Sequence, residues 1–323
     1  SARCCRRWRL SFTVDLVQPA EIRLIGRQTR QVTWRHDVID DKRMGRRHFL
    51  GLAMAGSGSL GLRRSACGVQ AAELPPVRAI TSGPGHHWFG YYDKLQFDPS
   101  CRYVLGMQVD FEHRSPRPDD RISIGMVDLR DGDRWIELGS TTAWCWQQGC
   151  MLQWLPGSST RILWNDRDGS HYIARILDVE TRESRTIPHA VYALSPDGKS
   201  AVSTDFRRLA DVRPGYGYVG IPDPNADKRA PDDTGIFRVD LETGERRLLF
   251  SVADVVDFGQ PLPSMRNAKH WFNHLLYNPD GSRFVFLHRW EAGKSRATRM
   301  LTASPDGSAL RILDDSGLTA HFI

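Results

Sequence analysis

Apolar residues recur along this chain in short runs, and the runs pair off around one kind of break. Residues 269–289, KHWFNHLLYNPDGSRFVFLHR, show the form most fully. The run His274, Leu275, Leu276, Tyr277 enters Asn278-Pro279-Asp280-Gly281, and Phe284 to Leu287 leaves it. Pro presets φ and Gly accepts a positive φ, so the break predicts a tight turn. The aromatic and branched residues on either side suit paired strands. The same unit, apolar strand, x-Pro-Asp/Gly/Ser, basic residue, apolar strand, recurs around Pro99 (FDPSCRYVL), Pro156 (WLPGSSTRIL) and Pro196 (LSPDGKSAV). A second pair of runs follows each unit and breaks at forms such as Val127-Asp128-Leu129, Leu177-Asp178-Val179-Glu180-Thr181 and Val239-Asp240-Leu241-Glu242-Thr243-Gly244.

The four prolines stand 57, 40 and 83 residues apart. Two hairpins per repeat at this spacing predict four-stranded blades, an all-β propeller. Residues 86–323 then hold four blades and the start of a fifth, which opens at residue 318. A closed ring leaves no strand edges, so the intact protein is expected to carry about seven blades. Two insertions interrupt the pattern, residues 110–121 (DFEHRSPRPDDR) and residues 206–233, and surface insertions of this kind often border sites.

The N-terminal part reads differently. Residues 1–43 show no periodic element and are set aside as an upstream segment. Met44 precedes Arg46-Arg47-His48-Phe49-Leu50 and a mild Gly/Ala/Ser-rich apolar run, with Val69-Gln70-Ala71 offering small residues for cleavage. Residues 44–71 therefore resemble a Tat-type (twin-arginine) signal peptide, leaving 72–323 as the propeller, exported to the periplasm or secreted. The apolar run is too short to span a bilayer.

Charge follows the same division. Of 44 Lys/Arg and 38 Asp/Glu, residues 1–72 hold 14 and 5, which leaves 30 and 33 for the remainder. The folded part thus has a net charge of −3 and gives no electrostatic case for nucleic acid. Only Cys101, Cys145 and Cys150 lie well inside the propeller. An odd number argues against a disulfide framework, and buried thiols are expected. Serine-hydrolase elbow, P-loop and H-E-x-x-H motifs are absent.

The innermost strand of each blade lines the central channel. The residues ahead of each turn are polar: His86, His87, Tyr91, Tyr92 and Asp93, then Gln147 and Gln148, then His189 and Tyr192, then His270, Asn273 and His274, then His321. Imidazoles from several blades at one level suit Mn, Fe, Ni or Zn, and each is equally able to hydrogen-bond backbone.

His274 before its turn, His288 after Phe284-Val285-Phe286-Leu287, and His321 in Leu318-Thr319-Ala320-His321-Phe322 resemble the order in oligogalacturonate lyases, propellers in which three His and a Gln bind manganese. The resemblance implies His274, His288 and His321 as metal ligands, with manganese favoured. It implies β-elimination on a uronate, with the metal neutralising the carboxylate and a base removing the C5 proton. His189 or His270 would be that base, and Arg207, Arg208 or Arg213 would grip the carboxylate. His87, Tyr92, Asp93, Gln148 and Tyr216 would contact the carbohydrate. The x-Pro-Asp-Gly-x-Arg unit also resembles TolB-type, WD40-like repeats, which implies a non-enzymatic binding or scaffold propeller of the periplasm. Export would make the Tat translocase a transient partner.

Overall fold

The computed structural model describes residues 77–323 other than Lys294, Leu318, His321 and Ile323. The upstream segment, the twin-arginine segment, the boundary expected at residue 72 and the proposed ligand His321 lie outside the described residues.

Sixteen strands form four antiparallel sheets of four, the blades of a β-propeller. Blade 1 comprises β1 (His86–Trp88), β2 (Tyr103–Val109), β3 (Ile122–Asp128) and β4 (Arg134–Thr141). Blade 2 comprises β5 (Gln153–Trp154), β6 (Arg161–Asp168), β7 (His171–Asp178) and β8 (Ser184–Ile187). Blade 3 comprises β9 (Ala193–Leu194), β10 (Ser200–Ser203), β11 (Gly235–Asp240) and β12 (Arg246–Ser251). Blade 4 comprises β13 (His270–Tyr277), β14 (Phe284–Ala292), β15 (Ser295–Ala303) and β16 (Arg311–Asp314). In every blade, strands adjacent in sequence are hydrogen-bonded neighbours.

The turns at Pro99, Pro156, Pro196 and Pro279 each join the first two strands of one blade, as the repeat predicts. Side-chain acceptors hold them, Asp98, Asp197 and Asp280 in three of the turns and Ser158 Oγ in the Pro156 turn. Asp197 Oδ1 accepts the Lys199 N–H at 3.0 Å, Asp280 Oδ1 accepts that of Ser282 at 2.8 Å, and Gly198 takes φ 69° behind its Asp. The second recurring aspartate closes the β3–β4, β7–β8 and β11–β12 hairpins: Asp128, Asp178 and Asp240 each accept the N–H two residues on, at 2.9–3.0 Å. A further Ser304-Pro305-Asp306-Gly307 turn joins β15 to β16, so the motif marks hairpins in general and not inner hairpins alone.

Alternating strand residues meet between blades. Leu105, Met107, Ile124, Trp154 and Ile162 fill the layer between blades 1 and 2. Leu163, Ile176, Val191 and Val239 fill the next layer, and Val202, Ile236, Phe272, Phe284 and Phe286 the last. Cys145 and Cys150 are buried free thiols, and burial pushes the Cys145 thiol up to about 12.

Helix is confined to short pieces, chiefly α1 (Phe206–Val212) and α2 (Val252–Asp257), and none is long and apolar enough to cross a membrane. The sequence pattern places residues 206–233 in a loop, whereas their first turns are α1, capped by the Asp205 carboxylate on the Arg207 N–H. Arg208 of α1 holds the rest of the insertion. It donates to the His270, Asn225, Lys228 and Arg229 carbonyls and pairs with buried Asp223 at 3.2 Å.

Candidate functional site

Side chains from all four blades converge on one polar cluster. Tyr91, Tyr92, Asp93 and Lys94 come from a turn after β1, closed by the Lys94 N–H on the Tyr91 carbonyl, and not from the inner strand itself. Gln148 sits in a second turn, bracketed by the Cys145–Gly149 bridge. Tyr192 immediately precedes β9 and is fully buried. His274 lies where the β13–β14 register shifts, at φ 53°, a conformation costly for a side chain this size. Its N–H donates to the Tyr192 hydroxyl at 3.0 Å, which holds the bulge in place.

The Tyr192 hydroxyl also accepts from Gln148 Nε2 at 2.5 Å. The Tyr91 hydroxyl lies 3.1 Å from His274 Nδ1 and 3.3 Å from Nε2. Burial, then the Tyr92 and Tyr192 phenols, hold the Tyr91 hydroxyl protonated far above neutrality. Tyr92, half exposed, donates to the Phe322 carbonyl at 3.1 Å, so the segment after β16 returns to this cluster.

Charge in the cluster is unbalanced. Lys94 and Asp93 pair at 2.9 Å with both side chains buried. Arg213, after α1, lies over the Tyr216 ring at 4.5 Å. Burial, then the positive charge of Arg213, lowers the pKa of Arg289 of β14. Neither guanidinium pairs with a carboxylate among the described residues. Asp93 Oδ1, Gln148 Oε1, Arg213 Nε, Arg289 Nε and both ends of the Asn273 amide are buried without a hydrogen bond. Buried polar atoms are nearly always satisfied, so these leave unused hydrogen-bonding capacity in the cluster.

Of the residues singled out in the sequence, the structure gathers Tyr92, Asp93, Gln148, Arg213, Tyr216 and His274 here. Among the described residues, His87, His189, Arg207, Arg208, His270 and His288 go elsewhere. His87 hydrogen-bonds Gln108 at 2.9 Å and packs edge-on against Trp135 of β4. Arg207 is held by Asp205 through two bonds of 2.9 and 2.7 Å, and every guanidinium nitrogen of Arg208 is engaged with Asp223 or backbone carbonyls. His189 lies between β8 and β9, in a lateral groove between blades 2 and 3.

His270 and His288 form a closed chain. Arg299 Nε can only donate, and it lies 3.1 Å from His288 Nδ1. His288 Nε2 therefore carries the proton and donates to His270 Nδ1 at 2.9 Å, and His270 Nε2 donates to the Met265 carbonyl at 3.1 Å. Burial lowers both imidazoles, His270 to about 4 and His288 well below its usual value. This corrects two expectations. No nitrogen of His288 is left to ligate a metal, and His270 has no free lone pair with which to act as a base.

Among the described residues no group of three His, Cys, Asp or Glu side chains is close enough to hold a metal ion. The residues described do not fit a manganese site.

Tyr91, Tyr192 and Asn273 stood among the polar residues expected to line the channel but were given no role, Lys94 was visible only as a neighbour of Asp93, and Arg289 was missed. Its signal was a lone cation inside the apolar strand FVFLHRW.

No family model matches the chain, and no curated protein matches it. Solved structures do match in shape. One is an oligogalacturonate lyase in complex with manganese, 17% identical, with a TM-score of 0.50, over 73% of this chain and 55% of that one. The fold is shared. The oligogalacturonate lyase of Vibrio parahaemolyticus is 15% identical, with a TM-score of 0.45, over 72% of this chain and 54% of that one. TolB from Acinetobacter baumannii is 13% identical, with a TM-score of 0.42, over 73% and 45%. The propeller thus spans about half the length of these structures.

Proposed function

We propose that the central cluster binds an acidic carbohydrate of the uronate type, its carboxylate seated between Arg213 and Arg289. One observation carries this reading: the Arg213 and Arg289 Nε atoms are buried without a hydrogen bond, and neither guanidinium pairs with a carboxylate among the described residues. An anion there relieves their repulsion and satisfies both orphaned Nε donors. Gln148, Asn273 and the Tyr91 and Tyr216 hydroxyls are the hydroxyl-binding groups, and the aromatic faces suit a sugar ring.

The Tyr91–His274 pair favours an enzymatic form of the same site, uronate β-elimination. His274 would take the C5 proton, the C4–O bond would break, and Tyr91, which keeps its proton at neutral pH, would supply one to the departing oxygen. No step is routed through a metal, because His274 is the one expected ligand that the described cluster contains. The same cluster could serve a binding propeller of the TolB type with no chemistry at all. Export by the twin-arginine segment would place either form where extracellular polysaccharide is met.

Calorimetry with oligogalacturonate tests the reading, using neutral oligogalactose as the control and adding Mn²⁺ in a parallel series. Arg289→Gln should weaken oligogalacturonate by about tenfold or more and leave the neutral sugar unchanged. Equal affinity of wild type and Arg289→Gln refutes it. Growth of ultraviolet absorbance from an unsaturated product separates the lyase from the binding protein, and its loss in Tyr91→Phe would assign the proton donor.

A further inference from the structure

A second basic site lies away from the central cluster. The groove between blades 2 and 3 has a volume of about 270 Å³. Its walls carry His171 of β7, His189 from the β8–β9 link, Asp205 and Arg207 ahead of and within α1, and Arg246 of β12. Phe206, which also lines it, stacks on Tyr192 of the cluster, so one aromatic layer separates the two sites.

The groove's charges do not cancel. Asp205 is its only carboxylate, and that carboxylate is spent. It accepts from the Arg207 backbone N–H, Arg207 Nε and NH2, and the Thr234 hydroxyl. Arg246 makes no ion pair or hydrogen bond among the described residues, and its guanidinium lies over the Phe237 ring at 4.4 Å. The ring fixes the plane of the cation while leaving its N–H groups pointed outward. His189 likewise has no hydrogen bond among the described residues. His171 uses Nδ1 on Ser170 at 3.2 Å and keeps Nε2. Burial first, then Arg246 and His171, lower the His189 pKa.

We propose that this groove binds a sulfate or phosphate monoester carried on a sugar-sized body, with Arg246 as the fixed charge and the His189 and His171 imidazoles as hydrogen-bond donors. The planar guanidinium presents paired N–H groups to two oxygens of the dianion. The His189 and His171 imidazoles then donate to the remaining oxygens. The volume exceeds what a bare sulfate fills, which is why an ester and not the free ion is assigned. Tyr172 contributes no free hydroxyl, since its proton is spent on the Tyr218 and Val219 carbonyls. The site does not depend on the central cluster.

Calorimetry on the full chain reads the proposal with sodium sulfate, galactose 6-sulfate and galactose 6-phosphate. Sulfate keeps its charge across the range, so any pH dependence belongs to the protein. Galactose 6-sulfate should bind about tenfold tighter at about pH 5.5 than at about pH 7.5, as His189 gains a proton. Arg246→Gln should weaken it by about tenfold at both pH values. His189→Gln should flatten the pH dependence while leaving binding at the higher pH. Arg289→Gln should leave galactose 6-sulfate binding in the groove unchanged while weakening oligogalacturonate. Arg246 is exposed, so its variant is expected to fold, and circular dichroism confirms this before titration. Equal binding by wild type and Arg246→Gln overturns the proposal, as does loss of sulfate binding in Arg289→Gln. Free sulfate binding as tightly as the sugar esters overturns the ester assignment.

Discussion

The Arg299–His288–His270–Met265 chain makes the propeller acid-sensitive in a defined window. Both imidazoles are neutral in the fold, and a proton on His288 Nδ1 would meet the Arg299 N–H. His270 is lowered from 6.5 to about 4. A base with a depressed folded pKa leaves the unfolded chain binding more protons between those values, so stability is full above about pH 6.5 and falls as pH drops toward 4. A shift of 2.5 is worth about 3 kcal/mol at 1.36 kcal/mol per unit, of which about 2.5 kcal/mol is lost by pH 4.5. His288 adds loss of the same sign. For a domain of this size, about 2.5 kcal/mol lowers Tm by roughly 5–10 °C. The perturbation is His270→Gln, whose amide can still donate to Met265 and accept from His288 but cannot take a proton. The assay is thermal unfolding by circular dichroism at about pH 8, 6 and 4.5. Wild type should lose several degrees more than His270→Gln between the first and last of these. Most carboxylates titrate lower and are common to both chains, so they cancel in the comparison. Identical pH profiles would falsify the buried chain as the source of the sensitivity.

Two further substitutions test how the insertion is held over the cluster. Arg208→Met leaves Asp223 buried without its cation and strips donors from four carbonyls. It should cost about 4 kcal/mol and roughly 10 °C in Tm, and a loss below about 1 kcal/mol in chemical denaturation would count against that role. Gly217→Ala would place a Cβ 2.2 Å from the Ala210 nitrogen and 2.3 Å from the Phe206 carbonyl. It should cost about 3 kcal/mol and weaken acidic ligands by displacing Arg213 and Tyr216; a variant as stable as wild type contradicts the packing of this loop on α1.

What the sequence determined by itself is the blade. Turn chemistry is local: Pro presets φ, Gly accepts the positive φ, and an Asp carboxylate two residues back captures the next N–H. Residues such as Asn278-Pro279-Asp280-Gly281 and Leu177-Asp178 therefore marked hairpins before any contact was known. Strand alternation did the same for the apolar layers between blades. The site was only half legible. That polar residues near the first strand of each blade would converge followed from the propeller, and Tyr92, Asp93, Gln148 and His274 did converge. Which of them remain free did not follow, because that depends on partners far away in sequence. His288 is occupied by Arg299 across a strand pair, and His270 by Met265 of the preceding turn. Arg207 is quenched by a carboxylate two residues away, while Arg213, six residues on, is left without one. Arg289 looked like any charge in a strand until Arg213 was placed near it. Spacing predicts where a side chain emerges, and only the tertiary packing decides whether its hydrogen-bonding capacity is already used.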